Sequence, residues 1–550
     1  MTNGQGQPIF IMPEDTERES GKDAQRNNIM AAKIVADTVK TTLGPKGMDK
    51  MLVDSADDIT VTNDGVTILE EMDVNHPAAK MMVEIANTQE DEVGDGTTTA
   101  VMLGGKLLEN AEELLDRKIH PTVITKGYRL ASKKAQEVLN SLAMDVKADD
   151  KDLLEQIAKT AMTGKGAESV RGRFAGLIVE AVRQIAEGNK VNLNNIKIEK
   201  AKGNGIEDTE LVKGIVLDKE KVNVDMPSKI EDAKIALINT ALEIKSPETE
   251  TNISVNSPEQ LQSFVKEEEE ELKKIVDRVK ESGANVVFCQ KGIDDLAQYY
   301  LAKDDIYACR RVSKSDMEKL ARATSGKIIS NLNEIEKDQL GQASEVELIQ
   351  KGDESFTYVK GCKNPKALTL LLHGGTDHVI DEMERAIQDG MGDVASAIKD
   401  GKVVAGGGAI ELELARELRK YSQGLEGREQ LAAEKFADAL ETVPTTLAEN
   451  AGMDPIDTLT ELKSRHDDGD DKAGLNLFKD KIEDNTKNGI VEPLSIKKQA
   501  ISSASEVAMM ILRIDDVIKG KGGGNKGGMP GGQGGMPGGG GMPPGLAGAM

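Results

Sequence analysis

Tryptophan is absent, and aromatic residues make up only 2% of the 550 residues. Any core must therefore be built from aliphatic side chains. Cysteine occurs three times, at 289, 309 and 362, never as C-x-x-C. That excludes a disulfide framework and a cysteine zinc site. The five histidines (76, 120, 373, 378 and 466) form no H-E-x-x-H. Positive charge is also short: the net charge is −25, which excludes a general nucleic-acid binder. No apolar run is long enough to span a bilayer. The start, MTNGQGQPIFIMPEDTERESGKD, lacks a basic stretch followed by an apolar one, so no secretory signal is expected and a reducing cytoplasm is the expected location. There is no G-x-x-x-x-G-K-[ST] and no strand-linked G-x-G-x-x-G, which excludes a P-loop and leaves a Rossmann cofactor site unsupported.

The chain does hold long helical periodicities. Ile29, Ala32, Val35, Val39 and Leu43 share one face of a helix over Ala24–Leu43, which stops at Gly44-Pro45. Helices are also expected over Pro77–Glu92, Thr97–Leu115, His120–Leu142, Lys151–Met162 and Ser169–Gly188. Residues 51–62 read as a hairpin, followed by the turn Asn63-Asp64-Gly65. From about 190 the texture changes to alternating strand and helix, the mark of an α/β unit inserted into a helical one. Within it, Glu259–Lys280 reads as a charged helix with five consecutive Glu at 267–271, either a solvated face or an arm that meets a partner. Helical pattern resumes at 378–399, 409–420, Glu426–Ala451, Asp454–Lys463 and Ala500–Ile511, with a last strand-like run at Arg513–Ile518. Residues 521–550 are Gly-Gly-Met-Pro-rich and cannot bury a core, so a disordered tail is expected.

One stretch carries chemistry. Gly94-Asp95-Gly96-Thr97-Thr98-Thr99 lies between two helical patterns. A turn feeding a helix N-terminus presents unpaired N–H groups and the positive end of the helix dipole, which suits a phosphate. The glycines let backbone approach a ligand, and the hydroxyls cap the helix or bond phosphate oxygens. A carboxylate beside a phosphate calls for a cation between them, and Mg²⁺ prefers such oxygen ligands. A plain Thr-capped turn is an equal reading of this motif by itself. Gly44-Pro45, Asn63-Asp64-Gly65 and Gly406-Gly407-Gly408 are further turns of this kind. Together they suggest a nucleoside triphosphate held with Mg²⁺ by a helical domain.

Thr42–Val53 (TLGPKGMDKMLV), Thr62–Leu69 (TNDGVTIL), Val93–Thr99 (VGDGTTT), Ala405–Ala409 (AGGGA), Ala473–Leu477 (AGLNL) and Arg513–Ile518 (RIDDVI) resemble the signature segments of group II chaperonins, the thermosome type. The similarity runs in order over roughly 20 to 520. The resemblance implies a mixed α and α/β multidomain chain. Its parts would be a flexible arm at 1–19, a mainly helical equatorial ATP-binding domain at 20–149 and 403–520, a small intermediate domain at 150–218 and 370–402, and an α/β apical client-binding domain at 219–369. A helical lid protrusion would occupy 246–277. It implies ATP and Mg²⁺ as cofactors, ATP hydrolysis coupled to folding of unfolded or partly folded client proteins, and self-assembly into a double ring, alone or with paralogous subunits. No nucleic acid and no membrane are implied.

The resemblance also implies roles. Gly44 and Pro45 would lie against the nucleotide; Asp95 would hold the metal; Gly94, Gly96, Thr97, Thr98 and Thr99 would form the phosphate cradle. Lys165 would meet the phosphates, Gly407 and Gly408 would allow approach to the ribose side, and Glu492 would accept a ribose hydroxyl. Asp389 would be the catalytic carboxylate, positioning the attacking water with Asp64. Three positions depart from the pattern. His373 stands where the family usually carries Arg, which implies a missing ion pair, and Gly390 and Asp393 sit in a helix that is usually more apolar, which bears on local packing near Asp389 rather than on the chemistry, Gly costing roughly 1 kcal/mol of helix stability. A small-molecule kinase would need a substrate pocket beside the γ-phosphate, and no residue pattern supplies one. An ATP-independent holdase or ring scaffold is the other alternative.

Overall fold

The computed structural model describes residues 16–54, 57–165, 170–203, 205–244, 257–332, 335–351 and 354–520. The expected tail at 521–550, most of the expected N-terminal arm and the first part of the 246–277 protrusion lie outside these residues.

One compact unit holds the described residues 16–25 and 514–520. In it Thr16–Ser20 pairs antiparallel with Asp516–Gly520, with Arg18 opposite Ile518. Residues 16–19 were expected in a loose arm; they form a strand because their partner comes from the other end of the chain. The Arg18 guanidinium bonds both carboxylate oxygens of Asp516, with Nε at 3.0 and 2.9 Å.

The second unit, Arg26–Arg513, carries the rest. Its largest core is all helical. Thr97–Asp116 is buried on most of its circumference, and Pro77–Val93, Pro121–Leu142, Glu429–Leu440 and Leu494–Leu512 pack around it. With so few aromatics, close approach is achieved by small residues. A Cβ on Gly105 would fall 2.3 Å from the Cβ of Ala36. Tyr128 and Phe436 meet edge to face at 5.6 Å, and the Tyr128 hydroxyl donates to the Leu107 carbonyl.

A second core packs Lys151–Ala161, Arg171–Ile185 and Asp377–Asp400 against a three-stranded sheet. In that sheet Leu368–Gly374 lies between Ile196–Lys202, to which it is parallel, and Glu210–Val212, to which it is antiparallel.

The third region is a seven-stranded sheet. Its order runs Tyr307–Cys309, Val286–Cys289, Lys229–Ile238, Gly341–Lys351, Glu354–Lys360, Ile215–Leu217, with Ile328–Ile329 also paired to Lys229–Ile238. Both faces are covered. Ile235, Leu237, Val286 and Phe288 point to the side packed by Lys314–Thr324, whereas Ala236, Ile238, Val287 and Cys289 point to the side packed by Asp295–Lys303 and Pro258–Glu281. Burial on both faces explains the unbroken apolar runs there.

Several elements depart from expectation. Glu426–Ala451 is two helices, Glu429–Leu440 and Thr442–Asn450, with Pro444 in the first turn of the second, where a missing N–H costs nothing. The last long helix begins at Leu494 rather than Ala500. Leu211–Leu217 is two strands belonging to different sheets. Among the described residues no helix is long and apolar enough to cross a membrane.

Candidate functional site

The Pro77–Val93 helix ends on Gly94, whose φ of +76° is the left-handed cap conformation; its N–H returns to the Glu90 carbonyl at 2.9 Å. Gly96, at φ +81°, then opens Thr97–Asp116. No side chain caps that helix start, so the threonines form an uncapped first turn rather than capping it. Such an end keeps its N–H groups available to an anion. Gln89 pins the turn from below, its Nε2 donating to the carbonyls of Asp95 at 2.8 Å and Ile496 at 3.2 Å. Asp95 Oδ1 accepts from the Gly96 N–H at 2.6 Å.

Three other turns reach the same place. Gly44, at φ +84°, follows the Lys22–Lys40 helix, and a Cβ there would strike Leu447 at 2.4 Å. Gly164 packs on it: an added Cβ would lie 2.8 Å from the Gly44 carbonyl oxygen. Asp64 caps Gly65–Glu70, its Oδ2 accepting from the Thr67 N–H at 2.9 Å and the Thr67 hydroxyl at 2.7 Å. Gly407 and Gly408, at φ +66° and +78°, join Lys402–Ala405 to Ala409–Ser422, again with no side-chain cap. Buried Asn485 braces this turn by donating to the Gly406 carbonyl at 2.9 Å.

These turns border a cleft of about 700 Å³. Gly44, Pro45, Asp64, Asp95, Gly96, Thr97, Thr98, Thr99, Lys165, Gly407, Gly408 and Glu492 all line it. Gly94 and Asp389 are not among the described lining residues. Gly94 shapes the turn from behind. Asp389, buried on Asp377–Asp400, is ion-paired with Lys165 instead, both side chains being largely shielded. One wall is apolar, formed by Val443, Leu447, Leu475, Leu477 and Phe478. The Arg171 guanidinium lies 4.6 Å from the centre of the Phe478 ring.

The electrostatics are uneven. Lys497 is buried between Glu411 at 2.8 Å and Glu492 at 2.5 Å. Burial opposes its charge, but the two carboxylates outweigh that and raise the ammonium pKa. Burial also pushes the Glu492 carboxyl up, with Lys497 acting against the push. Glu90, behind the Gly94–Thr99 turn, is pushed up to about 7 by burial and then by Asp64 and Asp95. Among the described residues, no three His, Cys, Asp or Glu side chains form a ready-made metal cage. An apolar wall, two uncapped helix starts, several cations and half-buried carboxylates suit an anion with a flat apolar part, bound together with a hard cation.

A model of the TCP-1/cpn60 chaperonin family matches residues 35–522. The chain belongs to the TCP-1/cpn60 chaperonin family. It is 58% identical over 522 residues to a thermosome subunit of Methanopyrus kandleri, covering 94% of this chain and 96% of the relative. It is 56% identical over 540 residues to the thermosome subunit beta of Archaeoglobus fulgidus, covering 96% and 99%. A thermosome subunit of Pyrococcus horikoshii is 57% identical over 517 residues, covering 93% and 94%. These relatives set the chain on the group II, thermosome-type branch of the chaperonins.

The departures from the family pattern take concrete form. Buried His373 replaces an expected ion pair with a contact between its Nε2 and Lys351 Nζ at 3.1 Å, and Lys351 pairs with Glu210 at 3.1 Å. Burial and then Lys351 hold the His373 pKa below its ordinary value. Packing at Gly390 is close: a Cβ there would lie 2.9 Å from Ile178 Cδ1. Asp393 lines the cleft. Sequence reasoning took it as a packing irregularity, although its position one helical turn after Asp389 places both on one face. Lys497 and Asn485 went unmarked, since neither lies in a glycine turn.

Proposed function

We propose that the cleft is where this chaperonin subunit binds and hydrolyses ATP with Mg²⁺, and that hydrolysis drives closure of a built-in lid over client proteins. The observation that carries this reading is the convergence of the Gly44–Pro45, Gly94–Thr99 and Gly407–Gly408 turns, Lys165 and Glu492 on one cleft. Glycine is required where the backbone itself must border a ligand. At Gly407 a Cβ would sit 2.3 Å from Asn485 Nδ2 and 2.5 Å from the Leu475 carbonyl oxygen, and its positive φ already favours glycine.

In this reading Thr97, Thr98, Thr99 and Gly96 hold the phosphates through N–H and hydroxyl groups, and Lys165 compensates their charge. Gly44 and Pro45 flank the nucleotide, Gly94 sets the turn, Gly407 and Gly408 admit the sugar, and Glu492 accepts a ribose hydroxyl. Asp95 holds Mg²⁺, which when bound offsets charge on the phosphate oxygens. The donor set fits: carboxylate and hydroxyl oxygens suit a hard cation that takes its remaining ligands from phosphate and water. Phosphoryl transfer asks mainly for positioning and charge compensation. Asp64 and Asp389 position the attacking water. Asp389 is engaged with Lys165, so it must exchange that partner before acting, which makes hydrolysis depend on movement of the Asp377–Asp400 helix.

The separation of the buried cores supports three parts. The helical core draws on both chain ends and supports an equatorial domain at 20–149 and 403–520. The second core supports an intermediate domain at 150–218 and 370–402, and the seven-stranded sheet supports an apical client-binding domain at 219–369. Archaeoglobus fulgidus has both an alpha and a beta thermosome subunit among the relatives, which supports a ring of like or paralogous copies. Three free, buried cysteines support a reducing cytoplasm.

Asp389→Ala should bind ATP with near wild-type affinity and hydrolyse it roughly a hundredfold more slowly or worse. Nucleotide affinity by calorimetry and single-turnover hydrolysis together check this. Unimpaired turnover would remove Asp389 from the reaction.

A further inference from the structure

Among the described residues, Asp393 is the cleft-lining carboxylate that has no role in nucleotide binding or hydrolysis as proposed. It lies on Asp377–Asp400, one turn beyond Asp389, and only 1% of its surface is exposed. Its Oδ1 is buried and accepts no hydrogen bond among the described residues. An uncompensated buried carboxylate is costly, and its persistence needs a partner. The backbone explains how it reaches the site. Gly392, its neighbour, abuts the Gly94–Thr99 turn: a Cβ added to either Gly392 or Gly94 would sit 3.4 Å from the other's Cα. That is van der Waals contact distance, so the helix and the turn lie directly against each other at this point. Burial first, and then Asp95, push the Asp393 carboxyl well above its ordinary range, while Lys165 and Lys497 act in the opposite sense. Neither lysine serves as its hydrogen-bond partner: Lys165 is paired with Asp389, and Lys497 with Glu411 and Glu492.

We propose that Asp393 is a second carboxylate ligand for the divalent cation held by Asp95, so that the metal site draws on the Asp377–Asp400 helix as well as on the Gly94–Thr99 turn. The proposal rests on the assignment of Asp95 above. A cation between two carboxylates from different elements satisfies the sealed Oδ1 and offsets the repulsion between the pair. Phosphate oxygens and water would complete the coordination, since among the described residues no three His, Cys, Asp or Glu side chains form a metal cage. Binding of the cation then holds the helix that carries Asp389 against the turn that carries the phosphates. Cation occupancy thereby sets the position of that helix before any bond is broken.

The test uses the full chain with ADP and Mn²⁺ as the probe cation, free Mn²⁺ being measured by electron paramagnetic resonance. Asp393→Asn keeps the shape and removes the charge. It should weaken nucleotide-dependent Mn²⁺ binding by about tenfold or more, and Asp95→Asn should do so as well. Wild-type Mn²⁺ affinity in Asp393→Asn alongside a loss in Asp95→Asn overturns the proposal and leaves the Asp95 assignment standing. A loss in Asp393→Asn with none in Asp95→Asn keeps Asp393 as a ligand and removes Asp95 instead. Thermal unfolding of Asp393→Val supplies the second readout. Without divalent cation this variant should melt above wild type, because a buried polar group without a hydrogen-bond partner is gone. With ADP and Mn²⁺ it should show a smaller upward shift than wild type. A variant that melts lower in chelator yet keeps the full cation-induced shift has lost only a structural residue, and that result overturns the proposal.

Discussion

Glu90 stands one turn before the end of Pro77–Val93, and its carboxyl is pushed up to about 7 from an ordinary 4.5, by burial and then by Asp64 and Asp95. The folded chain therefore keeps a proton that the unfolded chain releases between those two values. Stability from this group is fully present below pH 4.5 and is lost as pH rises through about 7. Glu90→Gln should flatten that part of the stability profile and raise the melting temperature above pH 7, measured in nucleotide-free buffer from pH 5 to 8. A profile as steep as wild type would show that Glu90 is not the titrating group. His373 has the opposite sign: a lowered histidine pKa costs stability only as pH falls below its ordinary 6.5. Single residues were the least legible part of the sequence. Asp95 and the threonines announce themselves by their glycine turn. Asp393 and Lys497 do not, because their meaning depends on which helix abuts which turn, and no local pattern encodes that. Asp389 was legible only through the family motif; the structure adds that it is committed to Lys165.

At the scale of elements, helices with a clear 3.6-residue apolar stripe were legible to within a few residues. Pro77–Val93 and Pro121–Leu142 both begin at a proline that marks the first turn. The hairpin Gly341–Lys351 with Glu354–Lys360 escaped notice. Its first strand, GQASEVELIQK, buries only alternate positions at best and carries polar residues between them. Pairing in a sheet, not composition, makes it a strand. The turns are less forgiving than the helices they join. Gly407→Ala would bring a Cβ within 2.3 Å of Asn485 Nδ2 and force a β-carbon into a left-handed backbone at φ +66°. It should cost about 1–3 kcal/mol of stability. Nucleotide affinity should fall more steeply than denaturant midpoint, since the turn borders the cleft. Equal ATP affinity in the variant would mean that this turn does not border the nucleotide.

For the whole molecule, the net charge of −25 matches a hydrophilic surface. Against that background one apolar feature stands out. The hairpin of Lys50–Val53 with Ile59–Thr62 exposes Met51 at 68% and Ile59 at 48%. An exposed two-stranded edge with apolar side chains is poised to pair with another chain. The paired substitution Met51→Asp with Ile59→Asp should leave the subunit folded, by circular dichroism, while shifting sedimentation from the ring to smaller species. Intact rings in the variant would show that this hairpin does not hold copies together. The α/β texture of the middle of the chain was legible from its apolar runs. The join between early and late helices was legible only through the family resemblance, because residues some three hundred apart share one core.

That shared core has a consequence in time. The helical core takes residues from Ile29 to Leu139 and again from Val404 to Leu512. The seven-stranded sheet, by contrast, is drawn from one continuous stretch between Ile215 and Lys360. A ribosome delivers the sheet's last strand long before the helical core has its second half. The middle of this chain can close on itself during synthesis, while the first helices wait with their apolar faces uncovered. A subunit of a family devoted to folding other chains thus emerges with its own cleft-bordering helical core as the last part to be completed.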